Sequence, residues 1–190
     1  MNRFVARFAA VALALAASPI DGAFAQTYPT RSMTMVIPFA AGGPTDVLGR
    51  ILGQRMSQSL GQQIIVENVT GAGGTLGAAR VAKAAPDGYT MVMGNLGTHA
   101  ASVGLYKNLP YDPRTSFEPV MLASTTPMVL LAKKDLPVRN LQDLIALAHT
   151  RQLTCGSAGV GSISHLTLLL FDKLAHTKFQ HVPYRGSSQV

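Results

Sequence analysis

Thr34 to Phe39 (TMVIPF) is a short, unbroken apolar run, and a glycine loop follows it at once. A strand apolar on both faces must be covered on both faces, which points to a mostly parallel sheet packed between helices. Ala41-Gly42-Gly43-Pro44 ends the run. Thr45 is placed to cap a helix, with Asp46 in its first turn, where the helix dipole favours a carboxylate. Val47, Leu48, Ile51, Leu52 and Met56 share one face of that helix, and Gly61 after Leu60 suits its C-terminal cap. Gln63 to Glu67 (QIIVE) reads as a second strand. Strand, helix and strand within about 35 residues make a right-handed βαβ unit.

The pattern repeats. Gly71-Ala72-Gly73-Gly74 leads into an Ala-rich helix from Thr75 to Ala85, stopped by Pro86, and a turn at Asp87-Gly88 leads to a third strand, Tyr89 to Met93. Asn95 to Phe117 is loop-rich. Phe117–Ser124 and Met128–Lys133 read as extended segments that carry the chain from one lobe to another. Asn140 with Asp143 forms a capping box opening a helix from Leu141 to His149. A strand at Leu153–Gly156 follows, then a second glycine-serine loop from Ser157 to Ser162. Next comes a helix from Ser164 to Leu174, with Leu166, Leu169, Leu170 and Leu174 as its apolar face, and a strand at Phe179–Val182. Gly186-Ser187-Ser188 opens what reads as another helix just before Val190. The expected architecture is therefore α/β, with two lobes of mostly parallel sheet, residues 26–124 and 125–190, the second incomplete. A truncated chain is the expectation.

The N-terminus has the layout of an export signal. Arg3 and Arg7 precede an apolar run from Ala9 to Ala17, and Ala23-Phe24-Ala25 offers a small-x-small cleavage pattern. The run is well short of the roughly 20 residues a membrane span needs. The expected mature protein begins near Gln26, outside the cytoplasm, in the periplasm. Cys155 is the lone cysteine, so no internal disulfide forms and stability must come from packing. The net charge of +7 falls to about +6 without residues 1–25, and the basic residues are scattered. Only Lys133-Lys134 are adjacent, so the clustered basic surface of a nucleic-acid binder is missing.

Two loops have the chemistry of anion cradles. In Pro38–Asp46, Gly42 and Gly43 leave backbone N–H groups open to a ligand, and a helix start adds further donors; a tight structural turn would use the same glycines. Ala158–His165 repeats the design with two hydroxyls. Such sites lie beyond the carboxyl ends of strands, and two loops on two lobes would hold the two ends of a dicarboxylate across a cleft. Other chemistries fail on spacing. Leu76 stands where a dinucleotide fingerprint needs glycine, no phosphate-loop or nucleophile-elbow sequence occurs, and the five histidines are scattered. No cofactor or metal is expected. A rival reading is an exported hydrolase or transferase using Ser162 or Cys155, for which no neighbouring general base is apparent. A third is a non-binding remnant.

The ordered set of motifs resembles the substrate-binding receptors of tripartite tricarboxylate transporters, the TctC or Bug family. The match runs from Tyr28-Pro29 and Val36–Asp46 through Val66-Glu67-Asn68, Gly71–Gly74 and Pro86–Thr90. It continues through Leu109–Asp112, Gly156–Ser162 with His165, and Val182–Gly186. The resemblance implies a periplasmic binding protein of the type II fold, closing by a hinge on a small carboxylate: a di- or tricarboxylate, an acidic amino acid or an aromatic acid. It implies a monomer that hands its ligand to membrane permease subunits and catalyses nothing. The positions it marks for ligand contact are Phe39, Ala41, Gly42, Gly43, Thr45 and Asp46, then Ser157, Gly159, Gly161, Ser162 and His165, with Asn95 and Thr98 as weaker candidates. Family members return to the first lobe after completing the second, and this chain ends before that return.

Overall fold

β1 (Met33–Ile37) is the centre of a three-stranded parallel sheet, with β2 (Ile64–Asn68) on one side and β3 (Thr90–Val92) on the other. Met35 lies opposite Val66 and Met91 in the register. Both faces of β1 are covered: Val36 and Ile37 are fully buried, and Met33, Met35, Ile37 and Ile64 form the core with Met56 and Met91 against them. These strands belong to a computed structural model that describes residues 27–190. The expected export signal lies outside the described residues. Residues Arg31–Val190 form one compact unit.

Helix α1 (Pro44–Leu60) crosses the sheet at very short range. A Cβ at Gly49 would sit 2.5 Å from Ile37 Cδ1, and one at Gly53 3.3 Å from Ile64 Cγ2. Two glycines inside a helix cost about 1 kcal/mol each in propensity; here they let the backbone approach the core strands. The N-cap is Gly43 rather than Thr45. Pro44 takes the first helical position, where its missing N–H leaves no bond unmade, and this shifts the helix start ahead of Thr45.

Helix α2 (Thr75–Ala82) follows a short 3-10 turn at Ala72–Gly74. The loop expected after β3 is partly helical: a π-type turn at Gly97–Ala101 continues into α3 (Ser102–Leu105). No apolar period announces it. Side chains bonded to backbone hold it instead, with Ser102 Oγ donating to Thr98 O at 2.9 Å and Tyr111 Oη donating to the same carbonyl at 2.6 Å.

Between the sheets, residues 118–133 belong to no helix or strand. The two extended segments expected there have no ladder partner among the described residues, and Val120 and Leu131 are 89% and 85% exposed. Beyond them α4 (Leu141–Thr150) begins as expected, Asn140 Oδ1 accepting the Asp143 N–H at 2.8 Å. β4 (Thr154–Ser157) and β5 (Gln180–Pro183) pair in parallel and are joined by α5 (Ile163–Ala175). Leu168 of α5 is buried, but Leu169, Leu170 and Leu174 are exposed, against the expected apolar face. A two-stranded sheet is too narrow to cover that side of the helix. The final helical turn is a 3-10 turn at Ser187–Gln189. No helix among the described residues is long and apolar enough to cross a membrane.

Candidate functional site

Because both sheets are parallel, the loops after β1, β2, β4 and β5 all leave from carboxyl strand ends, where binding crevices of α/β proteins form. These loops meet in two pairs. The turn Gly71–Gly74 after β2 lies against Ala158–Val160 after β4: the Gly73 backbone abuts the Val160 carbonyl, and a Cβ at Gly159 would come within 3.6 Å of Gly73 Cα. The turn after β1 instead meets the segment after β5. Ala40 N–H donates to Arg185 O at 3.2 Å, and Ser188 Oγ donates to Ala41 O at 2.8 Å.

Tyr106 ties the glycine turns together. Its Oη stands 2.8 Å from Ala72 O and 3.0 Å from Val160 O, so its single proton serves two carbonyls, one on each side. Burial pushes the phenol pKa up, which keeps that proton in place. Beside this contact opens a cleft of about 460 Å³ lined by Thr70–Gly74, Leu76, Ala158–Val160 and Pro183–Arg185. Four of its twelve lining residues are glycine, and Arg185 is the only charged residue in the lining.

The structure distributes the expected site residues unevenly around this cleft. Gly159 lines it. Phe39 is buried behind it, its ring edge close to Gly74, while Ala41 and Gly42 are exposed beside Ser188. Gly43 caps α1, and Thr45 is half-buried in its first turn. Asp46 is buried and turned inward: its carboxylate accepts from Gly42 N–H at 2.8 Å, Arg50 Nε at 3.0 Å and Asn68 Nδ2 at 2.9 Å. The protein's own carboxylate thus engages the Gly42 amide that sequence reasoning offered to a ligand. Asn95 and Thr98 bond to each other, Thr98 N–H donating to Asn95 Oδ1 and Asn95 N–H to Thr98 Oγ1, and Thr98 is fully buried.

In the second glycine loop the hydroxyls also bind the chain itself. Ser162 Oγ donates to Gly159 O at 2.7 Å, and Ser157 Oγ stands 2.6 Å from His181 Nε2. Gly161 N–H donates to His165 Nδ1 at 3.2 Å, and the His165 and His181 rings stack at 4.1 Å. Burial lowers both imidazole pKa values, and the charge of His165 lowers that of His181 further. These groups hold the loop in shape. Gly159 is the one lining residue among the expected contact positions; Thr70–Gly74, Leu76, Ala158, Val160 and Pro183–Arg185 were not marked for contact. The repeated glycine turn after the second strand was the available signal.

Neither nucleophile of the rival hydrolase reading, Ser162 or Cys155, has a general base bonded to it among the described contacts. Ser162 is fully buried, and its Oγ bonds to Gly159 O, Ser164 Oγ and the His165 N–H, with no hydrogen bond to an imidazole among the described residues. Burial, and secondarily the charge of Asp172, push the Cys155 thiol up from its usual value. Alkylation of Cys155 by iodoacetamide at pH 7 should therefore run several-fold slower than that of free cysteine; a faster rate would restore the thiol as a candidate. No group of three metal-ligating side chains occurs among the described residues.

Two parallel α/β sheets with a cleft at their strand-end loops match the fold of periplasmic binding proteins. Residues 48–190 match the model of the tripartite tricarboxylate transporter family receptor, TctC, and the chain belongs to this family. It is 42% identical over 188 residues, 98% of its length, to the UPF0065 protein in the TAR-I ttuE-ttuC' intergenic region of Agrobacterium vitis. BugT of Bordetella pertussis is 34% identical over 93% of the chain. Among solved structures, MatC of Rhodopseudomonas palustris with bound malate is similar at 44% identity and a TM-score of 0.80, over 85% of this chain and 56% of that one. The periplasmic binding protein BugD is similar at 37% and 0.78, over 85% and 55%. R. palustris Rpa4515 with adipate is similar at 36% and 0.73, over 85% and 55%. The chain spans about half the length of the curated relatives it matches, 54% in both sequences named here.

Proposed function

We propose that this chain binds a small carboxylate in the cleft between its two sheets and acts as a periplasmic receptor for a tripartite transporter. The observation that carries the reading is the cleft itself: glycine turns at strand ends, Arg185 as the one charged residue in the lining, and no acidic residue there. Such a surface favours an anion over a neutral or cationic solute. The neighbours with bound malate and adipate support a dicarboxylate as the first class to test, ahead of acidic amino acids and aromatic acids. The two lobes, residues 26–124 and 125–190, then act as the jaws, the receptor is a monomer, and a membrane permease takes over the ligand. No bond is made or broken in this role.

A thermal-melt series tests it. Malate or adipate at 100 times its dissociation constant should stabilise the folded chain by about 2.7 kcal/mol, seen as a rise of several degrees in melting temperature. A chain whose melting is unmoved by any of malate, adipate, citrate, glutamate or benzoate at millimolar concentration is not a carboxylate receptor.

A further inference from the structure

We infer that His165 and His181 form an acid-sensitive latch on the second glycine loop: uncharged, they hold Gly161 against the loops of the first sheet, and protonation releases it. The rings come from different elements, His165 from the first turn of α5 and His181 from β5, and they stack with centroids 4.1 Å apart and planes 22° from parallel. A backbone amide can only donate. The Gly161 N–H bond at 3.2 Å therefore requires a lone pair on His165 Nδ1, which puts that ring's proton on Nε2. On the other ring, His181 Nε2 lies 2.6 Å from the buried Ser157 Oγ, where the loop leaves β4. A proton added to His165 Nδ1 would face the Gly161 N–H, donor against donor, and that bond would be lost. A second proton, on His181, would lay one cation over another.

Gly161 is where this loop meets the first sheet's connections. A Cβ on it would lie 3.1 Å from Tyr106 Oη, and one on Gly97 would lie 3.1 Å from Gly161 O. Ala158–Val160, just before it, line the cleft, so slack at Gly161 reaches the seam with Gly73. The surroundings give an added proton no counter-charge. Cys155 lies opposite His181 in the β4–β5 register, Tyr184 packs beside Gly156, and Tyr106 stands beside Gly161. Asp172 and the exposed Lys173 are about two turns further along α5, and Asp172 accepts from Thr177 and Phe179. His99, near Gly97, bonds through Nδ1 to Thr98 Oγ1 at 2.8 Å and packs on Phe117. None of these groups bonds to either imidazole, and none of the described ion pairs includes one. Burial holds both rings below their ordinary 6.5, and the charge of His165 depresses His181 further. With folded-state values depressed, the latch is complete above 6.5 and is lost as pH falls through the lower folded values.

Amide hydrogen exchange at about pH 7 and about pH 5, corrected for the intrinsic rate at each, tests this on the whole chain and on the variants H165N and H181Q. In the wild type, protection across residues 159–165 and 71–76 should fall about tenfold or more at the lower pH, while that of β1 and β2 stays level. Asparagine places an amide oxygen where Nδ1 stood and does not titrate, so H165N should keep the same protection at both values. H181Q removes the neighbouring charge, so the His165 ring resonances should titrate at a higher pH than in the wild type. Unchanged wild-type protection, or an H165N protein that loosens as the wild type does, would overturn the latch. So would a His165 titration that H181Q leaves in place, a measurement that stands even where H165N does not fold.

Discussion

Replacing Gly73 with alanine should lower stability by about 3 kcal/mol and abolish carboxylate binding, whereas the same change at Gly42 should cost about 1 kcal/mol. Both glycines have a left-handed backbone, with φ of +63° and +79°. The difference lies in what a methyl group would meet. At Gly42 the nearest heavy atom is Ser188 Cβ at 3.7 Å, an ordinary contact. At Gly73 the methyl group would overlap the Val160 carbonyl oxygen and lie 3.2 Å from both Gly161 C and Ser162 N. All three are main-chain atoms, so no side chain can rotate aside. Relief requires the two glycine turns to separate, which strains the bonds Tyr106 makes to both. Urea midpoints of the two variants, with succinate titrations on each, measure the contrast. Equal midpoints would show that the turns do not touch in solution.

Asp46→Ala is the second large effect expected, a loss of about 3 kcal/mol. The mutation strips the acceptor from a backbone amide and from the Asn68 side chain at a buried position, and leaves Arg50 without its counter-charge. Burial alone would raise the Asp46 pKa, but the bonds from Arg50, Gly42 and Asn68 together outweigh it and hold the carboxyl below its ordinary 3.8. A depressed folded-state value gives stability that is present in full above the unfolded value. That contribution is lost as pH falls below 3.8 toward the lower folded one. Acid titration of the wild type should therefore show a fall in stability over that window, and the Asp46→Ala protein should show a shallower one. Identical acid profiles would remove Asp46 from the account.

What the sequence disclosed follows the range of the interactions concerned. β1, α1 and β2 were legible because unbroken apolar runs and a one-faced helix are local patterns, and the Asn140 cap was legible because donor and acceptor are three residues apart. The helical turn from Gly97 to Leu105 was not, since Asn95, Thr98, Ser102 and Tyr111 hold it by bonds to backbone without an apolar period. At the site, glycine turns at strand ends were visible as motifs. Which turns face one another was not. That pairing runs through Tyr106, 34 residues from Ala72 and 54 from Val160, and through contacts between residues near 40 and near 185. The hydroxyls and the carboxylate of Asp46 looked available to a ligand because sequence lists donors and acceptors without showing that each already has a partner inside the fold.

The Gly73–Gly159 contact has an evolutionary corollary. Where the floor of a pocket is made of glycine turns, point mutation has almost nothing to rewrite there, since every replacement of glycine adds bulk to a seam that admits none. A lineage adopting a new nutrient would have to edit the rim instead, at Thr70, Leu76, Tyr184 and Arg185, and the floor would persist unaltered beneath each new diet.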